Sequence, residues 1–243
     1  MDKYLIIKER NTKVLAQIAN SGLAGQVFPE ISKIRIQQPL QSGKGQYVFN
    51  IKDPNVDNIS TFSLDRNDVF IPNNWGVRIV FVNKTTGAMY PYTFAPKNDG
   101  TNPSVFPVGF TTDDIEALFA GNVQWILDNN VAMSAYPMEK FHKVPETQGL
   151  FVLDGDGNAV QEGIQLERNL DKDLELLINK YQICGTRDHR ITVSFDAANK
   201  TFALNNEGYE ARLELMMEGF LIKGGCEQPT VGKNPFGQAA GNW

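Results

Sequence analysis

The stretch FVLDGDGNAV, Phe151 to Val160, holds the residues best suited to chemistry: Asp154, Asp156 and Asn158 at alternating positions, spaced by glycines. Side-chain oxygens in that spacing are what a hard cation such as calcium takes as ligands. A helix-flanked calcium loop also needs Gly at its sixth position and a bidentate Glu at its twelfth. Counted from Asp154, those places hold Ala159 and Gln165, and neither serves. The preceding residues, Leu150, Phe151, Val152 and Leu153, form an apolar run of strand type. Asp-Gly between apolar runs is a strong hairpin signal, because glycine accepts the positive φ of a tight turn. The stretch therefore predicts a turn between two strands. No metal ligand is assigned, and whether Asp154 and Asp156 bind an ion in an assembled state stays open.

With two histidines in the chain, a catalytic triad or a histidine metal site must use His142 or His189. His142, in EKFHKVP, lies near Glu139 and reads as a solvated loop residue. His189, in GTRDHRITV, falls in a polar turn entering a strand. The run Arg187, Asp188, His189, Arg190 reads as a charged turn, with anion binding as the alternative. Lys44, in QSGKGQ, lacks the first Gly and the Ser or Thr of a phosphate loop. Asp113 and Asp114 stand at a helix start, where the macrodipole accounts for them. No nucleophile elbow, paired-histidine zinc helix or dinucleotide fingerprint is present. A glycosidase needs only two carboxylates brought together by folding, and a sugar-binding sandwich would expose Trp75 or Trp125. No catalytic or cofactor-binding residue is assigned, and the expectation is a protein without enzymatic activity or cofactor.

A chain of 243 residues, 42% hydrophobic and 21% charged, can bury a full core as one large domain or two small ones. The net charge of -5 and a pI near 5.2 argue against a large nucleic-acid footprint, so partners are expected among proteins, lipids or sugars. Cys184 and Cys226, 42 positions apart and without C-x-x-C spacing, predict two free thiols rather than a zinc site or disulfide framework. No apolar run approaches the roughly 20 residues that span a bilayer. MDKYLIIKERNTK lacks the apolar core and cleavage site of a signal peptide, which leads to an expectation of synthesis in a cytoplasm without the usual secretion.

The elements that would position these residues are mostly strands. NTKVLAQIANSGLAG predicts a short amphipathic helix capped by Asn11 or Thr12 and stopped by Gly22. ISKIRIQQPL then shows the period-two alternation of a half-buried strand. Strands come next at YVFNI, ISTFSL, GVRIVFVN, AMYPYTF and SVFPVGF, interrupted by a helix in TTDDIEALFAG with Thr111 or Thr112 as cap. A second set comprises VQWILDN, VAMSAY, the hairpin GLFVLDGDGNAVQEGIQLE, the pair DHRITVSFD and KTFALNN, and the long strand YEARLELMMEGFLIK. Residues 168–180 fit either a helix or a strand. Short strands at this spacing point to β-sandwiches. The division expected is an N-terminal arm (1–28), sandwiches at 29–129 and 130–224, and a C-terminal arm (225–243). That last segment is rich in Gly, Pro, Asn and Gln, so it cannot form a core alone and calls for neighbouring subunits to hold it.

The block FSLDRNDVFIPNNWGVRIVF, Phe62 to Phe81, resembles blocks in structural proteins of phages that infect Bacteroidetes-type bacteria. With the two-sandwich reading, the chain resembles the major capsid proteins of lipid-containing single-stranded DNA phages of Flavobacterium. The resemblance implies an all-β chain of two jelly rolls and a homotrimeric, pseudo-hexagonal capsomer in an icosahedral shell over an internal membrane. It also implies contacts with neighbouring capsomers and other virion proteins such as a penton, with no specific nucleic acid. Leu5 to Leu23 would face the membrane or run beneath neighbours, and the tail from Gly224 would tie subunits together. The family has no catalytic residues to transfer. The alternatives are another virion component (decoration, spike or tail protein) and a carbohydrate-binding or glycan-hydrolysing sandwich.

Overall fold

In chain order the strands are β1 (Pro29–Pro39), β2 (Gln46–Asn50), β3 (Ile59–Ser60), β4 (Val69–Asn83), β5 (Met89–Pro91), β6 (Asn122–Leu127) and β7 (Asn130–Pro137). The later strands are β8 (Thr147–Leu153), β9 (Ala159–Leu166), β10 (Glu175–Leu176), β11 (Ile183–Cys184), β12 (His189–Ser194) and β13 (Tyr209–Ile222). The computed structural model describes residues 8–9, 11–13, 16, 29–51, 59–60, 64–91, 117–142, 147–153, 159–166, 174–177, 181–198, 202 and 208–224, with the backbone alone at 59–60, 90–91, 147–153 and 159–166. The chain is all-β in class, as its alternation predicts. One antiparallel sheet runs β10-β4-β13-β1-β3, with β11 and β5 also on β4, a second runs β2-β12-β6-β7, and β8 and β9 form a separate hairpin.

Most of the pairing obeys one rule. β1 pairs with β13, β2 with β12, β4 with β10 and β11, and β6 with β7. First strand thus meets last, second meets second-last, β4 meets β11 and β10, and β6 and β7 close the end, so these strands form one long antiparallel hairpin; β3 on β1, β5 on β4 and the β8–β9 hairpin stand outside the nesting. Folding it over sets β13 beside β4 and β12 beside β6, which makes the two sheets. The sheets do not respect the expected boundary at 129/130. Each draws strands from both sides of it, because the register of β13 against β1 and β4 joins residues nearly 200 positions apart, as in Pro29↔Ile222.

Between the sheets lies one core. The first sheet contributes Ile34, Ile36, Trp75, Val77, Ile79, Phe81, Leu213 and Leu215, and the second Tyr47, Phe49, Val123, Trp125, Ile191 and Val193. Period-two alternation accounts for most of this, since every second residue of a strand faces the same side. β4 departs from it. Between Glu218↔Asn74 and Gly219↔Pro72 the ladder skips Asn73, so β4 carries one extra residue there. Pro72, which has no N–H to offer, is tolerated at such a bulge. The extra residue switches the inward parity, so Phe70 as well as Trp75 reaches the core.

Several local expectations shift. Residues 8–9 are already helical, and the Thr12 hydroxyl donates to the Lys8 carbonyl one turn back, so Thr12 lies inside that helix and does not cap it. The ambiguous 168–180 segment is strand at Glu175–Leu176, where β4 supplies the partner. The expected partner of β12, KTFALNN, is represented by buried Phe202 alone, and β12 instead sits between β2 and β6. The hairpin at the aspartate stretch is present: β8 and β9 pair down to Leu153↔Ala159. SVFPVGF, Thr111, Thr112, Asp113, Asp114 and the arm 225–243 lie outside the described residues, as do Asp154, Asp156 and Asn158. Among the described residues, no helix is long and apolar enough to cross a membrane.

Candidate functional site

Three constellations bring polar side chains together, and the largest is on the face of the first sheet turned away from the core. Gln37, Glu214 and Arg78 stand directly opposite one another across β1, β13 and β4. Glu214 is fully buried. Its Oε1 takes Arg78 Nε at 2.7 Å and lies 2.6 Å from Arg78 Nη2, while Oε2 takes Arg35 Nη2 at 2.7 Å and Arg35 Nε at 3.1 Å. Gln37 Nε2 donates to the same Oε2, and Gln37 Oε1 accepts from Arg212 Nη1 at 3.1 Å. Charge-assisted bonds of this kind compensate the cost of burying a carboxylate. Both oxygens are occupied and no solvent reaches them, so Glu214 holds strands rather than moving protons.

The second constellation is a corner built on Asp68, just before β4. Its N–H donates to the Asp65 carbonyl at 3.0 Å, and its own carbonyl accepts the Gly185 N–H at 3.0 Å. Its side chain accepts the Gly224 N–H at 2.9 Å. Val69 pairs with Cys184 on one side and Ile222 on the other, so the corner gathers β11, β4 and the end of β13. Cys184 is disulfide-bonded, which corrects the expectation of free thiols. The chain's other cysteine, Cys226, lies outside the described residues. The absence of C-x-x-C spacing gave no sign of this bond.

The third is His189. The sequence places it in a polar turn, yet it is the first residue of β12 and only 1% exposed. Burial lowers its pKa from 6.5 to about 4, outweighing Asp128, which raises it; Arg187 lowers it and Asp188 raises it. A neutral imidazole buried away from hydrogen-bond partners can act on nothing in this conformation. The signal that would have found it is the alternation His189, Ile191, Val193, all three buried.

The remaining sequence candidates do not converge. His142 stacks on Phe119 with centroids 4.5 Å apart, and meets Glu139 through a backbone bond, its N–H to the Glu139 carbonyl at 3.1 Å. Lys44 lies over the Tyr47 ring, 4.8 Å from its centroid. Arg190 pairs with Asp188 at 3.1 Å, which neutralises part of the candidate anion cluster. Trp75 and Trp125 are in the core, so neither offers a ring to a sugar. Among the described residues, no group of three or more His, Cys, Asp or Glu is placed to hold a metal ion.

Comparison with known proteins finds no match: no family model fits the chain, and no curated protein or solved structure is similar to it.

Proposed function

We propose that this chain is a structural subunit of a virion shell, built on a jelly roll. The observation that carries the reading is the wiring, in which first strand pairs with last and each inner pair nests within it, folded over into sheets of order β10-β4-β13-β1 and β2-β12-β6-β7. That architecture serves capsid proteins as well as lectins and cupins, so fold alone does not decide. Two further features favour the shell. The disulfide at Cys184 suits a protein that ends in an oxidising setting, such as the surface of a released particle. Core placement of Trp75 and Trp125 removes the aromatic platform a sugar-binding sandwich would use. The block Phe62 to Phe81, whose resemblance points to a capsid protein, supplies most of β4, the longest strand among the described residues.

A closed oligomer such as a trimer belongs to this proposal, as do contacts with neighbouring capsomers, with other virion proteins and, through the N-terminal segment, with an internal membrane. A pseudo-hexagonal outline does not, since it takes two sandwiches per chain and the described residues build one. Light scattering and negative-stain microscopy of the full-length protein, over a range of protein and salt concentrations, test the reading. Rings or shells made of a fixed multiple of 27.1 kDa are expected. A monomer under every condition overturns it.

A further inference from the structure

His189 is buried without a hydrogen-bond partner on either ring nitrogen. Buried polar atoms are ordinarily bonded, and one left unpaired in a folded protein asks for a reason. The ring stands edge-on to Trp125, centroids 6.4 Å apart at 68°. Its backbone ties three strands at one end of the second sheet: it pairs with Leu127 of β6, and its carbonyl accepts the N–H of Ile51, just past β2, at 3.1 Å.

A two-way clasp adjoins this position. The Asp128 N–H donates to the Asp188 carbonyl at 2.7 Å, and the Asp188 N–H donates to Asp128 Oδ1 at 3.1 Å. Asp128 holds a φ of 53°, in the left-handed region that non-glycine residues seldom adopt and that Asp tolerates in turns. The charged groups around the ring are Asp128 from the β6–β7 turn, and Arg187 and Asp188 from the turn before β12. Arg190, one residue further on, is held by Asp188. Trp125 from β6 and Ile51 from the end of β2 bring no charge. The pocket thus accepts a neutral ring, while two carboxylates stand close by for a charged one.

We propose that this end of the second sheet is an acid-operated latch: on taking a proton from the medium, His189 leaves its place beside Trp125 for the carboxylates of Asp128 and Asp188, and the β6–β12 end opens. The direction comes from linkage. Well above pH 6.5 the ring is neutral in both forms and the closed form bears no penalty; beside the two carboxylates the open ring titrates at or above its ordinary 6.5, so the window opens there or higher. As the pH falls from 6.5 towards 4, the open form takes up the proton first. Over that window the closed form loses population relative to the open one by up to about 300-fold, and below it the ratio is flat.

The test uses full-length protein, monitoring tryptophan emission and amide hydrogen exchange from pH 7.5 to 4 in the wild type, Trp125→Phe and His189→Phe. A reversible red shift between pH 6.5 and 4 is expected in the wild type, with faster exchange at Ile51, Asp128 and Asp188. Trp125→Phe removes the shift because it removes the reporter, and His189→Phe removes both shift and exchange because it removes the switch. The same transition in His189→Phe, or none in the wild type, overturns the latch. Should His189→Phe not fold, NMR on the wild type decides. Ring protonation that coincides with loss of the Ile51 and Asp188 amide bonds supports the latch, and protonation that leaves them intact overturns it.

Discussion

Trp75 of β4 and Trp125 of β6 meet between the two sheets with ring centroids 6.3 Å apart, both shielded from solvent. Trp75 also receives Phe141 and Tyr136 edge-on, at 5.0 and 5.2 Å, while Trp125 packs on Tyr181 at 4.5 Å. Aromatic pairs of this geometry add to the burial of their area. Trp75→Ala is expected to cost about 3–5 kcal/mol, a large share of the roughly 5–15 kcal/mol that keeps a domain folded. Urea unfolding measures it, and a loss under about 1 kcal/mol would mean that the sheets are held elsewhere.

Glu214 sits where three strands need a common register. A slip of one residue would turn its carboxylate into the core, since side chains alternate faces along a strand. Glu214→Gln keeps the shape but leaves Arg35 and Arg78 facing an amide, and removing one member of a buried ionic set costs about 3–5 kcal/mol. Replacing Glu214, Arg35 and Arg78 together by Met should recover much of that loss, because no unpaired charge stays buried. If the triple variant is as unstable as Glu214→Gln, the network's value lies in packing and not in charge.

Gly219 lies opposite the β4 bulge, where a Cβ would come within 2.0 Å of the Ile71 carbonyl oxygen. Backbone cannot step aside as a flexible side chain can, so Gly219→Ala is expected to cost about 1–3 kcal/mol through overpacking. Gly43→Ala is the comparison: at φ +71° it meets nothing within 4 Å, so its cost is backbone strain alone, about 1 kcal/mol. Thermal melts of the two variants should rank in that order, and the reverse ranking would place the tight approach elsewhere.

How much of the fold is legible in the sequence depends on whether the cause is local. β1, β2, β12 and β13 announce themselves by alternation, and the β8–β9 hairpin by its Asp-Gly turn. β4 is recognisable only from Gly76 onward, because the bulge at Asn73 breaks the period upstream of it. β10 and β11, two residues each, are too short to have a period, and exist because β4 offers them an edge. The pairing of β1 with β13 leaves no trace in either segment, so two consecutive sandwiches and one rolled hairpin read alike. Glu214 leaves a faint sign: a lone charge inside LELMM, with Arg78 equally alone in GVRIVF.

Cys184 closes the corner at Asp68, and its disulfide should stabilise mainly by limiting the unfolded chain. With Cys226 as the only other cysteine, 42 positions away, the loop-entropy relation gives about 4 kcal/mol. Cys184→Ser should lose that much in urea unfolding, and a reductant should lower the wild type to the same level while leaving the variant unchanged. A wild type indifferent to reduction would show that the corner holds without its sulfur bridge.

The tail tests the link between fold and assembly. β13 ends at Ile222 and the Gly224 N–H is held by Asp68, so the last described strand and its turn are complete by residue 224, and a deletion from 227 keeps both cysteines. Residues 227–243 are too poor in apolar side chains to form a core of their own. Deleting them should therefore leave the unfolding free energy within about 0.5 kcal/mol of the wild type. If the tail ties subunits together, the same deletion should stop growth beyond the smallest oligomer, read by light scattering. Equal assembly with and without the tail would move the subunit contacts onto the sandwich itself, and a fall in stability would make the tail part of the fold.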